Sequence, residues 1–193
     1  MNPNDPSQQL VLAFETAKEW DTWLAKHHAT STGVYIRVGK KGSGIRSITC
    51  PEALEVALCY GWIDGQKGSF DEQYFLQKFT PRRAKSIWSK INVEKVAGLI
   101  ASGEMKPSGL KAVEAAKQDG RWDAAYSSQK NIVVPADFQS ALEKNKKAKA
   151  FFETLTGAKR YSFLFRIETA KKAETREKRI GQFVQMLAKG ETF

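Results

Sequence analysis

Histidine is almost missing from this sequence. The two present, His27 and His28, are neighbours, and adjacent positions on a helix point to different faces. They cannot clamp a metal together, and a Ser-His or Cys-His nucleophile lacks its usual base. Each fits better as a cation near a helix C-terminus. Cysteine is as scarce. Cys50 and Cys59 match no zinc or redox spacing and read as reduced, buried thiols of a cytoplasmic protein. No apolar run approaches the roughly 18 residues a membrane span needs, so no membrane insertion is expected. The opening MNPNDPSQQL has neither the basic nor the apolar stretch of a secretory signal. HExxH, EF-hand and GxSxG patterns are missing too, and nothing calls for a cofactor or a metal.

Acidic residues are outnumbered, 21 against 31 Lys plus Arg, for a net charge of +10. That excess favours anionic partners: a phosphorylated metabolite or phosphate itself, nucleic acid, or an acidic membrane face. A run such as Lys144–Lys149 reads equally well as a solvated helical face.

What is present suggests an α+β fold. A short apolar run at Leu10–Phe14 suggests a strand. Thr16 and Glu19 fit a capping box, with Trp20, Trp23 and Leu24 at helical spacing behind it. Val34 to Val38 alternates like a half-buried strand. Thr49 and Glu52 form a second capping box for a helix ending at Gly61. Trp62 to Gly65 reads as a short strand into an Asp-Gly turn, and Tyr74 to Phe79 as another strand. These elements predict a small, mainly antiparallel sheet with helices packed on it. Beyond Thr80 the pattern is helical. Helices are expected from Asn92 to Gly103, from Ser108 to Gln118, from Pro135, across Tyr161–Ile167, and over a last stripe of Ile180, Phe183, Val184 and Leu187. Ser127–Val134 is the linker candidate. It divides an α+β domain, 1–126, from a helical C-terminal region, 135–193, unless the two form one continuous domain.

The segment KFTPRRAKSIWSKIN holds the main site candidate. Thr80 and Pro81 read as a helix N-cap and first helical position. Arg82 and Arg83 would then lie in the first turn, where the helix dipole repels cations. An anion between them would resolve the misfit, with Ser86 as a further donor, Trp88 as a stacking face and Asn92 nearby. A structural lock is the alternative: Asp64 pairing with Arg82 or Arg83. Arg176, on the apolar stripe of the last helix, and its neighbour Arg179 suggest a second basic wall. The alternative is a buried ion pair of Arg176 with Glu52, Glu55 or Asp64, or simple snorkelling of its guanidinium to water. The loop Gly39–Gly44 has P-loop spacing, but Ile45 stands where the phosphate lysine belongs. Lys40 and Lys41 therefore mark either a plain hairpin turn or a basic flap over an anion.

Three readings follow. One is a protein binding a small anionic, phosphate-bearing ligand. A second is a non-specific nucleic-acid binder. The third is an enzyme using Asp64 beside Arg82 and Arg83, which should depress its pKa and weaken it as an acid.

The words ALCYGWIDG, FTPRRAKSIWSKIN, GEMKPSGLKAVEAAKQDGRWDAAY, VPADFQSAL and AKKAETREKRI resemble the bacterial YdeI/OmpD-associated family, also called the bacteriocin-protection family, from about Phe14 to Gly190. The resemblance implies a cytosolic bacterial protein linked to antimicrobial-peptide tolerance and supplies no catalytic residues. Its recurring words mark Asp64, Arg82, Arg83, Ser86, Trp88, Asn92, Thr175, Arg176 and Arg179. Such peptides are mostly cationic, so direct capture by a chain at +10 meets like-charge repulsion.

Overall fold

The computed structural model describes residues 10–193. Among them the elements run β1 (Val11–Ala13), α1 (Ala17–His27), β2 (Val34–Gly39), α2 (Cys50–Cys59), β3 (Trp62–Ser69), β4 (Tyr74–Pro81), α3 (Lys90–Ala101), α4 (Pro107–Gln118), α5 (Ala136–Glu143), α6 (Lys146–Thr154), α7 (Gly157–Glu168) and α8 (Ala173–Ala188). The fold is α+β, with one four-stranded sheet ordered β1-β2-β4-β3. β1 and β2 are parallel, and the other pairs are antiparallel.

Two compact units divide the chain. Among the described residues the first takes in 10–86 and Asn92–Asp123. The second holds Ile87–Ile91 and Ala124–Phe193.

In the first unit the capping signals act as read. Thr49 accepts from the Glu52 amide, and Glu52 reaches back to the Thr49 amide. Thr16 accepts from Glu19, but Glu19 turns to the Glu15 amide, so that box is only half closed. Both helices lay apolar faces on the sheet. Trp20, Leu24, Ala53 and Ala57 meet Val34, Ile36, Trp62 and Phe79, all at most 1% exposed. The Trp20 indole donates to the Ala53 carbonyl at 3.0 Å, which satisfies the one polar atom that ring buries.

The helix expected at Thr80 does not form. Thr80 and Pro81 stay in β4, opposite Ile63 and Trp62, and the Arg82 amide extends the ladder to the Gly61 carbonyl at 2.9 Å. Proline is tolerated at a strand end, and the buried pairing of Phe79 decides the conformation over the local Thr-Pro cap signal. The chain then turns, and α3 starts at Lys90, which puts Asn92 inside the helix rather than at its cap. Asp64-Gly65 is not a hairpin turn either. β3 runs on to Ser69, with a bulge between Asp64 and Lys67. The Gly39–Gly44 loop links β2 to α2 and so is not a hairpin.

The second unit has its own core. Phe138 and Leu142 of α5, Phe152 of α6, Phe163, Leu164 and Ile167 of α7, and Ile180, Phe183 and Leu187 of α8 pack together. The stripe read on α8 is the buried one, and Tyr161–Ile167 is helical as expected.

Candidate functional site

Only part of the sequence-derived cluster comes together. In the first unit a hollow of about 250 Å³ is lined by Gly61, Arg82, Arg83, Ala84, Ser108, Lys111, Ala112, Ala115 and Arg121. Its walls are the segment that leaves β4 and one face of α4. Four of the nine lining residues are cationic, and none is acidic. Arg82 and Arg83 thus border a basic concavity, though not at a helix N-terminus.

Hydrogen bonds fix this shape. The Arg83 amide donates to the Ser86 hydroxyl at 3.0 Å, and the Ser86 amide donates back to the Arg83 carbonyl at 2.9 Å. Ser86 therefore shapes the turn and is not among the lining residues. The Arg121 guanidinium, only 8% exposed, donates from Nη1 to the Ser86 carbonyl at 2.9 Å. Its Nε donates to both Asp119 oxygens at 2.8 and 2.6 Å. Arg121 so ties the turn to the end of α4. Arg82 is half-buried, with Nε and Nη2 shielded from solvent, whereas Arg83 and Lys111 are exposed. Among the described residues neither Arg83 nor Lys111 forms an ion pair.

Asp64 is not in the lining. Asp64 is exposed at the surface, yet the protein on one side of its carboxyl pushes the pKa up, and the charges of Arg82 and Lys67 oppose that less strongly. The expected depression by arginine is overturned because desolvation outweighs those charges. Trp88 is 1% exposed and presents no stacking face, and Asn92 is also buried. Lys40 is elsewhere. Its Nζ donates to the Asp71 carbonyl at 2.7 Å in the β3–β4 hairpin, and it borders a separate hollow with Lys67 and Phe75. Lys41 is exposed in the same loop.

Arg176 and Arg179 belong to the second unit. The Arg176 guanidinium grips Asp137 through Nε at 2.6 Å and Nη2 at 2.9 Å, and donates from Nη1 to the Ile167 carbonyl. That fork holds the Asp137 carboxyl below the usual range. Arg179 donates to the Arg166 carbonyl. Arg176 is ion-paired, but to a half-exposed Asp137 and not in a buried pair with Glu52, Glu55 or Asp64. The distant Asp137 carried no helical-spacing signal to α8.

Another polar cluster in this unit escaped the sequence reading. Ser127, 6% exposed, accepts from Lys90 Nζ at 3.0 Å, and its hydroxyl donates to Glu168 at 2.7 Å. Its amide donates to the other Glu168 oxygen, and its carbonyl accepts from the Tyr161 hydroxyl. A serine so completely bonded and sealed is a brace, not a nucleophile.

The larger cavity of the first unit, about 430 Å³, has the opposite character. Asp21, Glu52, Glu55 and Glu104 line it against Lys18 and Lys106. The four carboxylates are engaged by Tyr60, Thr49, Lys95 and Ser102 respectively. The Cys59 thiol beside them is pushed up to about 11 by burial, so it is not a thiolate near neutrality. This cavity repels anions and holds no activated nucleophile. Among the described residues no group of three or more His, Cys, Asp or Glu could hold a metal. No helix there is long and apolar enough to cross a membrane.

The reading of residues alone missed Lys111 and Arg121. Lys111 sits one turn into α4 with nothing to set it apart from other surface lysines. Arg121 had one signal: a charged residue between the helix-stopping Gly120 and Trp122, two places after Asp119.

Residues 12–112 match the model of a family described as a domain of unknown function, DUF8412. Residues 131–190 match that of a family described as "Bacteriocin-protection, YdeI or OmpD-Associated". No curated protein and no solved structure matches the chain. VPADFQSAL and AKKAETREKRI fall within the second match, while ALCYGWIDG and FTPRRAKSIWSKIN fall within the first, so two families share the stretch that resembled one. The chain belongs to the DUF8412 family, matched over residues 12–112, and its residues 131–190 are similar to the bacteriocin-protection, YdeI or OmpD-associated family.

Proposed function

We propose that this protein binds a small anionic, phosphate-bearing ligand in the hollow between the post-β4 segment and α4. One observation carries the reading: Arg82, Arg83, Lys111 and Arg121 line one concavity that has no carboxylate in its wall. Like charges brought together raise the free energy of the empty site, and an anion relieves that cost. Arg83 and Lys111 are the exposed contacts, and Arg121 positions the turn.

We also read the protein as cytoplasmic, which its two free cysteines support. Any part in peptide tolerance then runs through the bound anion, not through capture of a cationic peptide. The enzymatic alternative has little to support it, because Asp64 lies outside the hollow. Binding of nucleic acid rests on net charge alone.

Thermal denaturation with millimolar inorganic phosphate and a panel of small phosphometabolites tests the proposal. A ligand at a hundred times its Kd adds about 2.7 kcal/mol, and the shift in Tm should shrink in Arg82→Ala and Arg83→Ala. A panel in which no anion raises Tm, or an equal rise in both variants, would end it.

A further inference from the structure

We infer that the occupant of the basic hollow is a phosphate monoester in its dianionic form and not a phosphodiester. The inference rests on the ligand-binding reading and adds charge state and size to it.

Charge comes first. Four cations line the hollow. Asp119 offsets one of them at Arg121, and Asp64 lies within electrostatic reach of Arg82. Two positive charges remain in excess, and a dianion balances them where a singly charged diester or carboxylate leaves one over. Electroneutrality counts most where water is thin, and the hollow has a buried guanidinium in its wall.

Size comes second. At about 250 Å³ the hollow falls below the roughly 300–1,000 Å³ of sites that take drug-sized ligands. It has room for a phosphoryl group and a few attached heavy atoms. A diester must lead two chains out of this small space, whereas a monoester leads out one.

The ligand's own titration gives the test. A phosphate monoester gains its second charge with a pKa near 6. No histidine, the side chain that ordinarily titrates between pH 5 and 8, lines the hollow. Isothermal titration calorimetry of the full chain would compare glycerol 3-phosphate, dimethyl phosphate and sulfate at pH 5.0 and 7.5. Glycerol 3-phosphate should tighten about tenfold between the two pH values, following its dianion fraction. Sulfate, a dianion at both, should stay level, and dimethyl phosphate should bind at least about tenfold more weakly at pH 7.5, the factor a lost charge contact of about 1.4 kcal/mol gives. Equal affinities for the diester and the monoester, or a level pH profile for glycerol 3-phosphate, overturn this inference and leave anion binding standing. Binding unchanged in both Arg83→Ala and Lys111→Ala, or no binding of any of the three, overturns the ligand-binding reading itself. Both side chains are exposed, so folding of the variants is checked simply by circular dichroism.

Discussion

Asp64 shows how a single residue can point away from its apparent role. Its ordinary carboxylate pKa is raised in the folded chain, mainly by desolvation. A carboxyl that holds its proton more tightly when folded destabilises the fold once it ionises. The cost begins as pH rises through the unfolded value near 3.9 and is complete above the raised folded value. Asp64 is exposed, so water screens much of this cost; Asp64→Asn should raise Tm only slightly at pH 7, and the gain should vanish below about pH 4. Melting curves at the two pH values check this. A gain that persists in acid, or a loss at pH 7, would show that Asp64 is held by its neighbours after all. The sequence placed Asp64 near arginine correctly, but desolvation depends on what packs around a side chain, and no residue pattern carries that. Trp88 also differs from its sequence reading because of what packs around it. Its place in the chain suggested an open ring, while its surroundings close over it.

At the scale of elements, what was legible was local. Thr49 and Glu52 cap α2 because both partners lie within four residues of each other. The stripe on α8 was legible because its spacing is its burial. The Thr80-Pro81 signal was just as local, yet long-range pairing with β3 overrode it. Another long-range constraint sits on α4. A Cβ built at Gly109 would meet the Cys59 carbonyl oxygen at 2.2 Å and its carbon at 2.8 Å. Both are backbone atoms and cannot step aside. Gly109→Ala should therefore push α4 off the end of α2. Overpacking costs about 1–3 kcal/mol, toward the upper end for a clash with backbone, against a gain of up to about 1 kcal/mol in helix propensity, for a net loss of about 2 kcal/mol. Urea denaturation would measure it, and a stabilised variant would contradict the packing. Because α4 carries Lys111, the same substitution should also weaken phosphate binding.

For the molecule as a whole, the +10 charge is a property of composition, and the α+β class follows from element order. Both were readable without coordinates. The change from one family match to the other was not, because such a boundary leaves no mark in charge or periodicity. The basic hollow was half readable: Arg82 and Arg83 are neighbours in the chain, whereas Lys111 and Arg121 arrive only through folding. Whole-molecule charge and a defined site predict different behaviour. If charge alone attracts single-stranded DNA, affinity should fall with salt at a logarithmic slope of roughly 0.7 per phosphate contacted. Arg83→Ala should then barely change it. A large loss of DNA affinity in that one variant would mean that the hollow itself grips the nucleic acid.

The tight seating of Gly109 against Cys59 has a wider electrostatic outcome. Cys59 and Lys106 border the acidic cavity, while Gly61 and Ser108, two places further along each segment, border the basic hollow. One thin partition of main chain thus keeps a negative basin and a positive one back to back within a single unit. A small anion approaching this unit should favour one mouth and an amine the other. The partition's thinness allows no side chain larger than a hydrogen atom at position 109.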